Sequence, residues 1–201
     1  MEKYCPKDSK KYKTISVGGL RAEQFAIKID RFYREKHPIF EGGKIALAVA
    51  SSGIAATLLE GGKTAHSTFK LPLNPERSDK PVCNISKNTP LAEILQKCTL
   101  IVWDECTMTH KANLEAVNRT LKDLKDPNCV MGGVTFVMAG DFRQTLPIVD
   151  RGTRANEIDA CIKSSTLWSK VQRKFKLTTN MRVHLKQAAD PIAAESFSKN
   201  F

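Results

Sequence analysis

The sequence predicts an α/β fold in which a parallel sheet is flanked by helices, and two observations carry this prediction. Three short, almost wholly apolar runs are typical of strands buried on both faces of a parallel sheet: Lys44–Ala50, Thr99–Glu105 and Val134–Asp141. A fourth run, Lys174–Asn180, has a weaker pattern. Helical patterns separate the runs, and this alternation of strand and helix favours parallel pairing.

Helical patterns lie between the strand-like runs. They occupy Ser52–Gly62, Pro90–Cys98 and Thr109–Asp126. In the first of them, Ser51 or Ser52 can act as the N-cap, and Gly61 can end the helix. Residues 71–88 contain three prolines and predict an exposed loop.

The N-terminal part of the chain predicts a basic arm followed by one helix. Cys5–Gly19 is polar and basic, which indicates a disordered or loosely attached arm. Over Leu20–His37 the apolar residues recur at near-helical spacing, and Pro38 ends this pattern.

Charge is distributed unevenly along the 201 residues, whose net charge is +11. Residues 1–44 have eleven basic and six acidic side chains, and residues 151–201 have ten and four, whereas residues 45–150 have eleven of each. Basic flanks on a neutral centre are typical of a protein that binds a polyanion such as nucleic acid. A solubilising surface would give the same pattern, so charge alone leaves both interpretations open.

Composition excludes several classes of protein. The start of the chain has no apolar segment of a signal peptide, and no apolar run approaches the ~18 residues of a membrane helix, so we expect a soluble intracellular protein. The six cysteines include no C-x-x-C pair, which argues against a zinc site and favours reduced thiols.

Two acidic residues, Asp104 and Glu105, directly follow an apolar run. Ligands bind at the carboxyl ends of the strands in open α/β sheets. In nucleotide hydrolases an Asp at this place holds Mg²⁺, and an adjacent Glu orients or deprotonates the attacking water. The alternative is that Asp104 caps the helix that starts near Thr107–Thr109.

Polar residues also follow the next two runs. The third run ends at Asp141, and Gln144 lies just beyond it, where a neutral side chain can hydrogen-bond a terminal phosphate and water. The alternative is that Asp141 caps a short helix and Gln144 is merely exposed. Arg182 follows the fourth run, and arginine is the residue type that stabilises charge on a transferred phosphoryl group. An arginine in a basic tail is equally well explained as a solvated side chain.

The motif GGKT at Gly61–Thr64 ends like a phosphate-binding loop. The pattern G-x-x-x-x-G-K-[ST] requires a glycine where this chain has Thr57, and such a loop precedes a helix instead of following one. We therefore predict that GGKT does not bind ATP. Lys63–Phe69 instead offers a cation, three hydroxyls, an imidazole and an aromatic ring, which suit contact with single-stranded DNA. The alternative places Phe69 in the core and His66 on an ordinary surface.

Four segments occur in one order with regular spacing, and together they resemble the petite-integration-frequency family of ATP-dependent DNA helicases. The segments are SSGIAATLLEGGKTAHSTFKLPL, LIVWDECTM, GDFRQTLPIV and LTTNMR. The similarity is nearest to the branch found in Helitron transposons. It implies a partial RecA-like lobe over residues 44–183, preceded by the arm and helix of residues 1–43 and followed by a truncated tail over residues 184–201.

The resemblance implies roles for individual residues. Asp104 and Glu105 match the family's acidic pair for Mg²⁺ and water. Gln144 matches its γ-phosphate-sensing glutamine and Arg182 its phosphate-contacting arginine, so that Asp104, Gln144 and Arg182 would contact bound ATP. The implied DNA-binding residues are Gly53, Thr64, His66, Ser67 and Phe69.

The resemblance also implies an activity and its partners. Family members hydrolyse ATP with Mg²⁺, move 5′ to 3′ on single-stranded DNA and unwind forked DNA in repair, recombination and telomere maintenance. This implies a DNA helicase in the nucleus, with mitochondria and cytoplasm as alternative locations.

Two departures from the family pattern shape our expectation for this chain. The family's G-x-x-x-x-G-K-[ST] loop is not found before Lys44, and the chain ends before a second lobe. We expect a fragment, a degenerate copy or a mis-spliced product that does not hydrolyse ATP at a useful rate alone. The alternatives are a non-catalytic single-stranded-DNA-binding module and an unstable product that lacks the first strand of the sheet.

Overall fold

The centre of the molecule is a parallel six-stranded sheet, seen in a computed structural model that describes residues 12–16, 45–59 and 62–176. The strands are β1 (Tyr12–Ser16), β2 (Ile45–Ala50), β3 (Lys63–Thr64), β4 (Cys98–Asp104), β5 (Thr135–Ala139) and β6 (Arg173–Lys176). Their order across the sheet is β3-β2-β4-β5-β1-β6. The predicted parallel α/β fold is confirmed. The first three predicted runs correspond to β2, β4 and β5, and the described start of the fourth run lies in β6.

Five α-helices lie in the described part of the chain, besides several short 3₁₀ turns. They are α1 (Gly53–Thr57), α2 (Ala65–Phe69), α3 (Pro90–Lys97), α4 (Lys111–Leu124) and α5 (Arg154–Ala160). The Ser52 side chain caps α1 by accepting a hydrogen bond from the Ala55 N–H at 3.1 Å. This helix ends at Thr57, four residues before the predicted stop at Gly61. Gly61 itself lies outside the described residues, and so does the helix predicted over Leu20–His37. Within the described ranges, no helix is both long and apolar enough to span a bilayer.

Strand β1 corrects the prediction of a disordered arm over Cys5–Gly19. Tyr12–Ser16 is an inner strand, parallel to β5 on one side and to β6 on the other. Its β-branched and aromatic residues suit a strand, but the neighbouring lysines concealed this pattern in the sequence. The alternative of a sheet without its first strand is therefore wrong.

The main core packs around Trp103 of β4, which is fully buried. The ring of Phe69 lies 5.8 Å from that of Trp103, and the ring of Phe136 lies 6.2 Å away on another side. Leu95 of α3 and Leu114 of α4 cover the same face of the sheet. Because β4 is buried along most of its length, the residues that follow it begin from a fixed position.

Candidate functional site

The carboxyl ends of β2, β4 and β5 lie at one edge of the sheet. Ala50 is in register with Asp104, and Trp103 is in register with Met138. The Ser51 N–H donates to the Asp104 carbonyl oxygen at 3.1 Å, and the Trp103 indole N–H donates to the Ser51 hydroxyl at 3.0 Å. Both hydrogen bonds connect the end of β2 to the end of β4. They fix the position from which Asp104 and Glu105 are presented.

Asp104 is a buried carboxyl group, with 7% of the residue exposed. Burial raises its pKa from 3.8 to about 6, while the Glu105 N–H opposes this shift by hydrogen-bonding the charged form. The structure does not support the alternative in which Asp104 caps a helix. Helix α4 is capped by His110, whose Nδ1 accepts from the Ala112 N–H at 3.1 Å.

Glu105 combines an unusual backbone with an unusual side chain. Its φ of 48° and ψ of 35° lie in the left-handed region, which costs a non-glycine residue about 1–3 kcal/mol. The Oε2 atom is buried and has no hydrogen-bond partner among the described residues. Burial, and then the negative charge of Asp141, raise the pKa of this carboxyl. Such strain and lost hydrogen bonding are typical of residues that serve function instead of stability.

Asp141 organises the turn that follows β5. Its Oδ1 accepts from the Arg143 backbone N–H at 3.0 Å and from Arg143 Nε at 3.3 Å, and its carbonyl oxygen accepts from the Gln144 N–H at 3.1 Å. The Arg143 backbone N–H is also the main cause of the lowered pKa of Asp141. The segment is therefore a turn and not the short helix of the alternative interpretation, and it presents Gln144 to solvent.

Thr107 connects the two strand ends and was not found from the sequence. Its hydroxyl donates to the Asp141 carbonyl oxygen at 3.4 Å. A Cβ atom on Gly140 would lie 2.8 Å from the Thr107 Cγ2 atom, so only glycine allows this close approach. No sequence signal marks Thr107, because the contact depends on how the two loops meet.

A magnesium ion fits the carboxyl groups at this edge. Mg²⁺ in nucleotide sites takes one or two protein carboxylates and completes its shell with phosphates and waters. Asp104, whose ionised form is destabilised by burial and would be stabilised by a cation, matches this requirement. In the described ranges no group of three or more His, Cys, Asp or Glu side chains converges on a metal position.

The second candidate region is Lys63–Phe69, which begins with β3 beside β2. Thr64 caps α2, because its hydroxyl accepts from the Ser67 N–H at 3.2 Å. His66 and Ser67 are exposed, whereas Phe69 is 1% exposed. The segment is therefore a polar surface fastened to the core by an aromatic ring.

The predicted site residues divide into three groups. Asp104 ends β4 and Glu105 follows it, while Gln144 lies in the turn beyond the adjacent strand β5. Thr64, His66, Ser67 and the exposed Gly53 lie near β2 and β3, while Phe69 occupies the core position of the alternative interpretation. Arg182 lies outside the described residues.

The carboxylates at the ends of adjacent inner strands lie at the edge where open α/β sheets bind their ligands. The family model of the PIF1-like helicase matches residues 35–200. This chain belongs to the PIF1-like helicase family.

Individual relatives agree with this assignment. The ATP-dependent DNA helicase Pif1 of Psychrobacter sp. is 36% identical over 103 residues, which are 51% of this chain and 16% of that protein. The protein of the same name in Bdellovibrio bacteriovorus is 33% identical over 143 residues, or 70% of this chain and 30% of the relative. This chain therefore spans less than a third of the length of these relatives.

Solved structures show the same fold. The Bacteroides Pif1 helicase in complex with ADP-AlF3 and single-stranded DNA superposes with a TM-score of 0.67 at 22% identity, covering 86% of this chain and 39% of that one. The Pif1 helicase from Candida albicans gives a TM-score of 0.64 at 24% identity, covering 84% and 36%.

Proposed function

We propose that this chain is the nucleotide- and DNA-binding lobe of a PIF1-like helicase, with Mg²⁺–ATP at the ends of β4 and β5 and single-stranded DNA on Lys63–Phe69. The observation that carries this proposal is the edge formed by Asp104, Glu105 and Asp141. There, the Asp104 carboxyl is buried, the Glu105 backbone is strained, and the buried Glu105 Oε2 has no hydrogen-bond partner among the described residues. Helicase activity, 5′-to-3′ movement, forked DNA as substrate, roles in repair, recombination and telomere maintenance, and a nuclear location are parts of the same proposal that rest on the family resemblance.

Each residue of the edge has a distinct task in this proposal. Asp104 faces the cation, which supplies charge neutralisation to the phosphates when bound. Glu105 accepts a proton from the attacking water at Oε2, and its raised pKa makes it a stronger base than an exposed Glu. Gln144, on its exposed turn, hydrogen-bonds the terminal phosphate. Arg182 stabilises the developing charge in the proposal.

The DNA part of the proposal rests on the separation of polar and apolar side chains in Lys63–Phe69. Lys63, His66 and Ser67 are exposed and free to contact phosphates and bases. Ala65 and Phe69 are buried and hold the segment against the core.

A non-catalytic single-stranded-DNA-binding module is the second candidate. It is favoured by one observation, which is that the sequence contains no G-x-x-x-x-G-K-[ST] pattern to hold phosphates. We accordingly expect slow ATP hydrolysis by this chain. DNA-stimulated ATPase activity that disappears in Glu105→Ala would contradict this expectation.

Two measurements on the purified chain test the proposal. We expect fluorescence anisotropy to show binding of an oligo-dT strand that weakens in His66→Ala/Ser67→Ala and not in Asp104→Asn. We expect Mg²⁺ with a non-hydrolysable ATP analogue to raise the melting temperature, and this shift to disappear in Asp104→Asn. DNA binding without any nucleotide shift would favour the second candidate, and absence of both would reject the proposal.

A further inference from the structure

The edge of the sheet formed by β6 concentrates positive charge that the proposed nucleotide and single-strand sites do not use. Residues 160–176 include five basic residues and no acidic one. The five are Lys163, Lys170, Arg173, Lys174 and Lys176, and all are exposed. We call them the β6 basic surface. Within the described ranges, none of the five forms an ion pair with a carboxylate.

Two aromatic rings, Phe142 and Trp168, contact two lysines of this surface. The rings of Phe142 and Trp168 meet edge to face with their centroids 5.4 Å apart. Lys163 Nζ lies 3.9 Å from the centre of the Phe142 ring, and Lys174 Nζ lies 4.7 Å from the centre of the Trp168 ring. These cation–π contacts hold the lysine stems while the ammonium groups keep donors for a ligand. Because each ring already contacts the other ring and a lysine, the pair is poorly placed to stack on a base.

The backbone spaces the charges along a rigid edge. In a strand, alternate side chains share one face, so Lys174 and Lys176 point the same way at a separation of roughly 7 Å along β6. A row of cations on an ordered strand suits a ligand with regularly spaced anions. Of the four β6 side chains only Phe175 is a large apolar group, and it is 41% exposed. This composition fits a polyanion better than a protein partner, whose interface would have an apolar centre.

We propose that the β6 basic surface binds the phosphate backbone of double-stranded DNA. This inference rests on the proposed function, which includes forked DNA as substrate but assigns only the single strand to a surface, Lys63–Phe69. Strands β3 and β6 form opposite edges of the sheet, five strand spacings or about 24 Å apart, so the two DNA surfaces do not overlap. A duplex is favoured over a single strand because its phosphates are already regularly spaced, and because single-strand sites use stacking rings that are engaged here.

Charge neutralisation with matched variants tests this proposal. The test variant is Lys163→Gln/Lys174→Gln/Lys176→Gln, and the control is Lys80→Gln/Lys97→Gln/Lys122→Gln, which removes the same charge elsewhere. Anisotropy is measured with a short blunt duplex and with an oligo-dT strand at several salt concentrations. We expect the test variant to flatten the salt dependence for the duplex by about two to three units in the slope of log K against log salt, at ~0.9 per lost contact. Binding of the single strand should match that of the control.

Three outcomes of this experiment would contradict the proposal. Equal losses in the test and control variants would mean that only net charge matters. A loss confined to the single strand would assign the surface to that strand, and binding of polyglutamate in place of duplex would assign it to an acidic protein. If the triple variant melts early, Lys176→Gln replaces it with Lys80→Gln as its control, since Lys176 shares the face of Lys174, whereas the cation–π contacts seen with the aromatic pair are those of Lys163 and Lys174. Failure of His66→Ala/Ser67→Ala to weaken single-strand binding would count against the proposed function and not against this surface.

Discussion

The strand-end carboxyl groups and the Lys63–Phe69 segment are both candidate binding regions, but they are built in opposite ways. At the ends of β4 and β5, the functional groups themselves are buried or strained, as Asp104 and Glu105 show. In Lys63–Phe69, the polar groups are exposed and only the anchoring residues Ala65 and Phe69 are buried. In the first region, the side chains proposed to do the chemistry are therefore also the ones that lower stability. The second region separates chemistry and stability into different side chains.

The difference has a physical cause. A site for a cation and phosphates gains from exclusion of water, which strengthens each charge interaction but costs stability when the site is empty. A surface that follows a flexible strand must stay accessible along its length. Substitutions should therefore alter folding and ligand binding together in the first region and separately in the second.

The largest expected effect is the loss of the anchor in Phe69→Ala. We expect the free energy of unfolding to fall by about 3–5 kcal/mol, because the ring is buried against Trp103. Urea denaturation measures this change. Leu73→Ala, whose side chain is 89% exposed, is the control and should change stability by no more than ~0.5 kcal/mol. A stable Phe69→Ala variant that fails to bind DNA would instead place this ring on the DNA surface.

The second-largest effect tests whether the buried carboxyl group of Asp104 lowers the free energy of unfolding. The pKa of Asp104 is raised from 3.8 to about 6, so the folded state holds its proton more tightly than the unfolded state. This contribution is fully present below pH 3.8 and is lost as the pH rises through about 6. Without Mg²⁺, we expect Asp104→Asn to raise the free energy of unfolding at pH 8 by up to roughly 2–3 kcal/mol, with no gain at pH 3.5.

Urea denaturation across this pH range measures the Asp104 effect. The exposed Asp79→Asn is the matched control and should change the free energy of unfolding by no more than ~0.5 kcal/mol. If Asp104→Asn destabilised the protein equally at all pH values, the carboxylate would be a structural group and the comparison between the regions would fail.

A smaller effect is expected at Thr64, the residue of Lys63–Phe69 that combines a structural role with a predicted DNA contact. Thr64 is both a predicted DNA contact and the N-cap of α2. Thr64→Ala should lower the free energy of unfolding by about 1 kcal/mol through loss of the cap, whereas Thr64→Ser should retain it. Thermal melting of both variants measures the cap. Equal destabilisation by Ser and Ala would show that the hydroxyl does not cap the helix.

The smallest effect on stability is expected from His66→Ala/Ser67→Ala. Both side chains are exposed, so the free energy of unfolding should change by less than ~0.5 kcal/mol. Affinity for oligo-dT should fall by about tenfold, since one stacked base contributes ~1–3 kcal/mol. Asn88→Ala, also exposed, is the control for anisotropy. Unchanged affinity would remove the DNA role from this segment.

The sequence predicted those parts of the fold that have strong local patterns. The apolar runs of β2, β4 and β5 identified a parallel sheet because strands covered on both faces are apolar throughout. Strand β1 was missed because its short sequence, YKTIS, lies in a lysine-rich segment whose pairing with β5 and β6 is entirely non-local. The end of α1 at Thr57 was also missed, since the glycines beyond it suggested a longer helix.

The sequence identified residues of the candidate site but not their backbone conformation, burial or contacts. Asp104 and Glu105 followed directly from an apolar run that ends in acids. The left-handed backbone of Glu105, the contact of Thr107 with Gly140 and the burial of Phe69 depend on how separate loops pack, which no local pattern encodes.

The most direct test of the central claim is amide hydrogen exchange of the chain with each ligand separately. With Mg²⁺ and a non-hydrolysable ATP analogue, we expect added protection over residues 103–108 and 140–144 and none over residues 62–70. With oligo-dT, we expect the reverse. Protection of both regions by one ligand, or of neither region by its own ligand, would contradict the assignment of separate nucleotide and DNA surfaces to this lobe.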